Sequence, residues 1–564
     1  MLDEFIHEPR VAYFSMEIAL RNEMPTYAGG LGVLAGDTVR AAADLALPLV
    51  AVSLVSRAGY FRQDIDAQGR QTEQPASWDP AAFTQPLDAK IAVSIDRQTV
   101  WIGAWLYVLE GHMGGRQPVL LLDTNLAENT PENRAITDSL YGGDEAYRLK
   151  QEIVLGIGGI RMLQALGFEI RQYHMNEGHS ALLVVELLHR HSYPPEDLRP
   201  GESPYDLPRV REQCNFTTHT PVDAGHDRFD YDMVTRILNH PIDEATLKHL
   251  AGEDNLNMTR LALNLSEYVN GVAERHAEVS RRLFPGYHVH AVTNGVHPFT
   301  WTCAPFRALY DRHLPGWCHE PERLVRADCC LPDEGIRNAH SQAKRALIEQ
   351  VRHRTGVTLD PQRPVLGFAR RMTAYKRPDL LFTDMERLQA VARRYPFQIV
   401  LAGKAHPRDE DGKRLIERLH QHARTLADAL PIAYLPEYDL DTARLLTAGA
   451  DIWLNTPLRP LEASGTSGMK AAFNGVPSLS ILDGWWIEGC IEGVTGWAIG
   501  DHTDTADDDA RALYDKLEQI VLPLFHEGGR AGWIPLMRGA ISKNASYFNS
   551  HRMMRRYATE AYIR

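Results

Sequence analysis

The chain has 564 residues, 44% hydrophobic and 24% charged, which is more than one hydrophobic core supports and enough apolar material for two. Its net charge of -13 disfavours nonspecific binding to nucleic acid or to a membrane, so any anion site has to be a local cluster of cations in an acidic body. The six cysteines (Cys214, Cys303, Cys318, Cys329, Cys330 and Cys490) are sparse and contain no Cys-x-x-Cys pair. They fit a reducing compartment, and neither a disulfide frame nor a zinc site. The N-terminal residues lack the basic and apolar regions of a leader, and no run of ~18 apolar residues occurs anywhere. The expectation is a cytoplasmic protein with no metal, nucleic-acid or membrane partner.

In chain order, Val11–Met16 reads as a strand, a loop ends in Tyr27-Ala-Gly-Gly-Leu-Gly32, and a helix pattern runs from Val33 to Ala46. Leu47–Val55 is the next strand, closing a βαβ unit with parallel strands. Further β content lies at Ala89–Ile95, Val100–Val108 and Pro118–Asp123. A long helix is expected over Tyr147–Leu166, then a strand at Ile170–Asn176 and a helix over Gly178–Glu186. The second half is more regular. Short apolar strands at Val365–Ala369, Gln398–Gly403, Ile432–Leu435, Asp451–Leu454 and Ser478–Leu482 alternate with helical patterns such as Arg414–Leu430 and Asp441–Ala448, as in a doubly wound parallel sheet. The fold class is therefore α/β, with two Rossmann-like doubly wound domains facing a deep cleft. The divisions expected are 1–295, 296–535 and a helical segment 536–564 that packs back on the first domain.

Four segments cluster glycine and charge just after predicted strands, where ligands of such sheets bind. Gly29-Gly30-Leu31-Gly32 opens a helix and lets backbone approach an anion closely. Arg370-Arg371-Met-Thr-Ala-Tyr-Lys376-Arg377 places four cations in eight positions, and arginine grips phosphate bidentately. Lys404 follows Gly403 at another strand end. Glu462-Ala-Ser464-Gly465-Thr466-Ser-Gly-Met-Lys470 leads from a buried strand into a helix near Gly468, offering a carboxylate, hydroxyls and a lysine. That lysine is either an anion contact or an amine for a carbonyl. Taken singly, each segment has a structural reading of comparable weight: a turn, a solvated charge run, a surface lysine. His179 and His219 also follow strand-like segments, and neither has the spacing of a zinc ligand set.

Together these segments resemble the α-glucan (glycogen, starch and maltodextrin) phosphorylases, in particular their short bacterial branch. The resemblance runs from about Val11 to Trp486 and is strongest at Glu462–Lys470, Asn474-Gly475 and Leu482-Asp-Gly484. It implies a glycosyltransferase B-type architecture and a Schiff base of pyridoxal 5′-phosphate on Lys470. It further implies that Glu462, Ser464 and Gly465 hold glucose hydroxyls and that Thr466 lies by the cofactor phosphate. Arg371 would contact inorganic phosphate, with Arg370 and Lys376 on the cofactor phosphate. Gly29, Gly30 and Gly32 would face the substrate phosphate, His219 and Asn294 would touch the sugar, Trp301 would lie near the cofactor ring, and Tyr438 beside cofactor and phosphate. Arg370 stands where the best-known members have lysine, and Ser467-Gly468 where they have Gly-Asn. Gly178 follows Glu177 in place of an Asp-Thr pair.

The implied activity is reversible phosphorolysis of a terminal α-1,4-linked glucose from an α-1,4-glucan, giving glucose 1-phosphate with retention, in an enzyme whose family commonly forms homodimers. Two other readings compete: a nucleotide-sugar-dependent glucosyltransferase of glycogen-synthase type, and a non-catalytic glucan-binding relative.

Overall fold

The computed structural model of the chain describes residues 2–7, 10–199, 201–222, 225–501, 508–528 and 531–563. Two large sheets organise it. The first has ten strands, and seven of them are parallel: Val11–Phe14, Leu49–Leu54, Arg116–Asp123, Gln172–Asn176, Cys214–Thr217, Tyr268–Gly271 and His290–Ala291. Numbered along the chain, those seven are ordered 3-2-1-4-5-6-7. Antiparallel strands at Gln98–Glu110, Ile91–Ile95 and Gln85–Pro86 extend the edge beyond Arg116–Asp123. The second sheet has six parallel strands: Val365–Ala369, Gln398–Ala402, Ile432–Leu435, Ile452–Asn455, Ser478–Ile481 and Gly496–Ile499. Their order is 3-2-1-4-5-6.

Both sheets are wound outward from their first strand, so each has one point where the direction of winding reverses. In the first sheet it lies between Val11–Phe14 and Gln172–Asn176, in the second between Val365–Ala369 and Ile452–Asn455. Strands buried on both faces explain the continuous apolar runs in the sequence: Leu49–Leu54, Val365–Ala369 and Gln398–Ala402 are buried throughout.

Loops of the two halves meet. Gln63 Nε2 donates to the Gly403 carbonyl at 2.8 Å, Lys404 Nζ to that of Phe61 at 2.9 Å, and Asn22 Nδ2 to Asp439 at 3.1 Å. Between the sheets the chain passes through helices, among them Pro298–Trp301, Ala304–His313 and Asp333–Thr355. The helix Ser550–Tyr557 and the π-helical turn Ala558–Tyr562 that continues it return to the first sheet. There Tyr557 Oη lies 3.2 Å from Thr217 Oγ1 and accepts from Asn270 Nδ2 at 3.0 Å, and Tyr562 Oη meets His174 at 2.7 Å.

The structure departs from the expected elements in detail. The helix after the glycine loop starts at Gly30, not Val33, because Gly29 already serves as its N-cap. The long helix is Glu145–Ala165 with a π-turn at Val154–Gly158. Gly178–Glu186 is split: a 3₁₀ turn covers Gly178–Ser180 and the α-helix is Leu183–Arg190, since Glu177 adopts a left-handed φ of 74° just before it. Strand Tyr268–Gly271 and edge strand Gly496–Ile499 are not among the expected elements: each is four residues long, and the first has a polar Asn270 and the second opens on a glycine. From Asp508 on the chain forms several helices, including Asp508–Lys516, Trp533–Gly539 and Ser550–Tyr557, so helix begins well before residue 536.

Candidate active site

Lys470 lies on the helix Ser467–Ala472, which follows the loop after strand Ile452–Asn455. Six residues make too short a helix for its dipole to count for much, so anion binding at this loop rests on side chains. Lys470 is only 6% exposed, and its Nζ lies 4.0 Å from the centroid of the Trp301 ring. No hydrogen bond or ion pair reaches that Nζ among the described residues. Burial lowers its pKa to about 8, with Asp37 opposing the shift and Arg444 adding to it. Roughly a tenth of the amine is then free base at pH 7, against far less for a solvated lysine. Asn474 Nδ2, one turn on, donates to the carbonyls of Trp301 at 2.8 Å and Lys470 at 3.2 Å and so ties ring and lysine together.

Arg370 and Arg371 directly follow strand Val365–Ala369, and Lys376 closes the turn Ala374–Lys376. Glu462 lies between two of these cations: it accepts from Arg370 Nη2 at 2.5 Å and from Lys376 Nζ at 2.6 and 2.8 Å. Burial alone would raise the Glu462 carboxyl, but Arg370 and Lys376 outweigh it and hold the pKa at about 2. An anion gripped by Arg370 and Lys376 must therefore share them with Glu462. Arg370 Nε and Nη1 and Ser464 Oγ are buried without a hydrogen-bond partner among the described residues, donors left over for a ligand. Burial pushes the Tyr438 phenol up while the neighbouring Arg370 opposes the shift, so this tyrosine stays neutral. Gly465 has a φ of 85°, which a side chain would strain. Thr466 N-caps the lysine's helix without using its hydroxyl.

Arg371 behaves differently from Arg370. It is exposed to the solvent of the cleft and forms no hydrogen bond or ion pair among the described residues. Its Nη2 lies 3.5 Å from where a Cβ on Gly29 would stand, which brings the cationic segment against the glycine loop across the cleft. In that loop the N–H of Gly29 is not free: Glu17 Oε2 accepts it at 3.0 Å, together with that of Ala28 at 2.6 Å, while Tyr141 Oη donates to Glu17 Oε1 at 2.9 Å. The donors that remain are those of Gly30, Leu31 and Gly32, which have no acceptor in the first turn of the Gly30–Asp44 helix. A side chain at Gly32 would meet Glu17 Oε2 at 2.6 Å, so this glycine permits the carboxylate's approach, whereas a Cβ on Gly30 would meet nothing within 4 Å.

His219 follows strand Cys214–Thr217. Its Nε2 lies 2.6 Å from Asn176 Oδ1, and its backbone N–H donates to Glu177 at 2.7 Å. Burial depresses the imidazole to about 3, so it is neutral; with Nε2–H donating to Asn176, Nδ1 remains an acceptor suited to a hydroxyl. Asn294 Oδ1 is buried without a hydrogen-bond partner among the described residues. A cavity of roughly 290 Å³, lined among others by Tyr60, Phe61, Tyr141, His406 and Arg408, opens beside Arg371, whose charge acts on Tyr60, Tyr141 and His406. Backbone strain collects here: Tyr141, Glu177, Arg377 and Glu437 all have positive φ.

Sequence reasoning missed two buried carboxylates of this site, Glu17 and Asp37. Their only signal was the setting. Each is a lone acid in an apolar run, Val11–Ala19 and Leu31–Val39 respectively, where an acid is costly unless it is paired.

Two facing sheets wound in this way, with the chemistry at both reversal points, define an α/β protein of glycosyltransferase B-type architecture. The comparisons give the family. The profile of a family described as "Carbohydrate phosphorylase" matches residues 226–494, the stretch that carries Trp301, Arg370, Arg371, Lys376, Tyr438 and Glu462–Lys470. The chain is 39% identical to a maltodextrin phosphorylase of Thermococcus litoralis over 98% of its own length and 70% of the relative's. It is 35% identical to a glycogen phosphorylase of Aquifex aeolicus (99% and 87% covered) and 37% identical to one of Mycobacterium tuberculosis (98% and 70%). The chain belongs to the carbohydrate phosphorylase family of glycosyltransferases. No helix among the described residues is long and apolar enough to cross a membrane.

Proposed function

We propose that this chain is a pyridoxal-phosphate-dependent α-glucan phosphorylase that releases terminal α-1,4-linked glucose as glucose 1-phosphate with retention. The observation that carries this reading is the Lys470 amine: buried, unpaired, held against the Trp301 ring and close in sequence to a carboxylate–cation cluster with unspent donors. Burying a lysine without a counter-ion is costly, and the cost is understandable where the amine is used for chemistry.

The residues fit the cofactor. The Lys470 amine would hold its aldehyde carbon, Trp301 would face its ring, and the free donors of Arg370, with Lys376, Thr466 and Tyr438, would surround its phosphate. When bound, pyridoxal phosphate supplies a second phosphate beside the substrate phosphate and thereby a proton source and sink. Arg371 and the N–H groups of Gly30–Gly32 would grip inorganic phosphate from opposite walls of the cleft. That phosphate protonates the glycosidic oxygen, and its oxygen then attacks the anomeric carbon from the same face. Neutral His219 accepts a sugar hydroxyl through Nδ1, and Asn294, Ser464 and Glu462 take others. Glu462 divides its charge between sugar and cations, keeping the sugar next to the phosphate. The rest of the glucan would occupy the cavity beside Arg371. Loops from both halves flank the site, and the charge interactions inside it would strengthen as bound substrate displaces water.

The test is phosphorolysis of maltodextrin by the purified chain. Glucose 1-phosphate must appear, and only when inorganic phosphate is present. Glucosyl transfer from a nucleotide sugar with no phosphate-dependent release would overturn the proposal.

A further inference from the structure

The Gly30–Asp44 helix presents its N-terminus to the cleft and, two turns later, the buried carboxylate of Asp37, to which the reaction above gives no role. Asp37 is 1% exposed. Its Oδ2 accepts the indole N–H of Trp301 at 2.7 Å and the backbone N–H of His297 at 3.2 Å, the two ends of the turn Pro298–Trp301. Among the described residues its Oδ1 forms no hydrogen bond, and it faces the Arg40 guanidinium at 3.6 Å. On the far side of the indole lies the amine of Lys470, 4.0 Å from the ring centroid.

We propose that Asp37 is a positioning residue for Lys470: it pins the indole of Trp301 in the plane against which the amine packs, and its charge offsets the burial of that amine. This rests on the reading of Lys470 as the reactive amine. A neutral acceptor would suffice for the indole N–H, and a carboxylate is costlier to bury. Arg40, 3.6 Å from Oδ1, offsets part of that cost on one side, and the cation beyond the ring is a second positive charge on the other. An indole that donates to a carboxylate is held more firmly and has a more negative face, which attracts an ammonium or an electron-poor heterocycle. The charged groups acting on Lys470 are Asp37, which favours its protonated form, and Arg444 from the helix Leu440–Gly449, which disfavours it. The Gly30–Asp44 helix holds the start of the turn Pro298–Trp301 a second time, where Asp44 Oδ2 accepts from His297 Nε2 at 2.8 Å. The element that offers donors to an anion thus also sets the lysine's environment.

The experiment is trace labelling of the full chain with acetic anhydride across pH, after hydroxylamine has released any bound carbonyl compound. The peptide containing residue 470 is quantified by mass spectrometry. Asp37→Asn keeps an acceptor for the indole and removes the charge. The labelling midpoint of Lys470 is expected to move down by about half a pH unit or more, with the tryptophan emission spectrum unchanged. Trp301→Phe keeps a ring and removes the N–H, and is expected to shift the same midpoint. If Asp37 serves only to hold its helix, Asp37→Asn will lower the melting temperature and leave the Lys470 profile where it was, which overturns the proposal. Should Asp37→Asn not fold, an unshifted profile in Trp301→Phe overturns it equally. The readout needs no catalysis and no cofactor, so its failure is distinct from failure of the phosphorylase reading.

Discussion

The two reversal points of winding share one topology and carry opposite chemistry. At the first, the groups at the ends of Val11–Phe14, Gln172–Asn176 and the neighbouring strand Cys214–Thr217 are acids, amides, a neutral imidazole and N–H groups: Glu17, Asn176, Glu177, His219 and the Gly30–Gly32 turn. At the second, after Val365–Ala369 and Ile452–Asn455, they are Arg370, Arg371, Lys376 and Lys470 with one carboxylate, Glu462, among them. The fold supplies a place twice, and the loops decide what it does. The first place is suited to hydroxyls and to one anion held through backbone, the second to phosphates held through fixed charge. A reaction that brings a sugar and two phosphates together needs both.

That division of labour can be broken from either side. The largest effect is expected at Lys470→Ala, which should cut phosphorolysis by about three orders of magnitude or more and abolish any near-ultraviolet cofactor band, measured by glucose 1-phosphate release and an absorbance scan. Next is Arg371→Ala. Removal of one positioned donor is worth about 2.7–4 kcal/mol in such sites, so turnover should fall by about two to three orders of magnitude while the cofactor band remains. A variant of Arg371 with near-normal turnover would remove it from the site. On the other wall, Glu17→Gln retains one carbonyl oxygen for the two N–H groups that Glu17 holds. The loop should loosen and KM for phosphate rise about tenfold with kcat little changed, as shown by a phosphate titration.

The smallest effect is on stability. Burial raises Glu177 to about 7, against the hydrogen bonds from His219, Gly178 and Thr220 that oppose it. The folded chain therefore keeps this proton after the unfolded chain has lost it. Stability is fully present below about pH 4.5 and declines as pH rises from there to about 7. Urea titrations at pH 5 and pH 8 should show the wild type losing about 1–3 kcal/mol relative to Glu177→Gln, and equal losses would mean that Glu177 is not buried protonated.

Much of this was legible in the residues. Five of the six strands of the second sheet stood out because burial on both faces demands continuous apolar runs, and the glycine loop and the Arg370–Arg377 segment stood at strand ends. The strand order was not legible: it depends on which strands pair, and that requires contacts far apart in sequence. Nor could the sequence show that Glu462 bridges Arg370 and Lys376, that Gly29 has its N–H spent on Glu17, or that Trp301 covers Lys470. These are juxtapositions across 86 to 169 positions of chain, or, for the glycine loop, a choice among neighbouring donors that only the fold settles. Lone carboxylates such as Glu17 and Asp37 belong to no motif and gain meaning only from what they touch.

The central claim is that the buried Lys470 amine carries a carbonyl cofactor. The direct measurement is borohydride reduction of the full chain after incubation with pyridoxal phosphate, followed by peptide mass spectrometry. The account predicts a stoichiometric reduced phosphopyridoxyl adduct on the peptide containing residue 470, absent in Lys470→Ala. An unmodified residue 470, or an adduct spread over surface lysines, would contradict it.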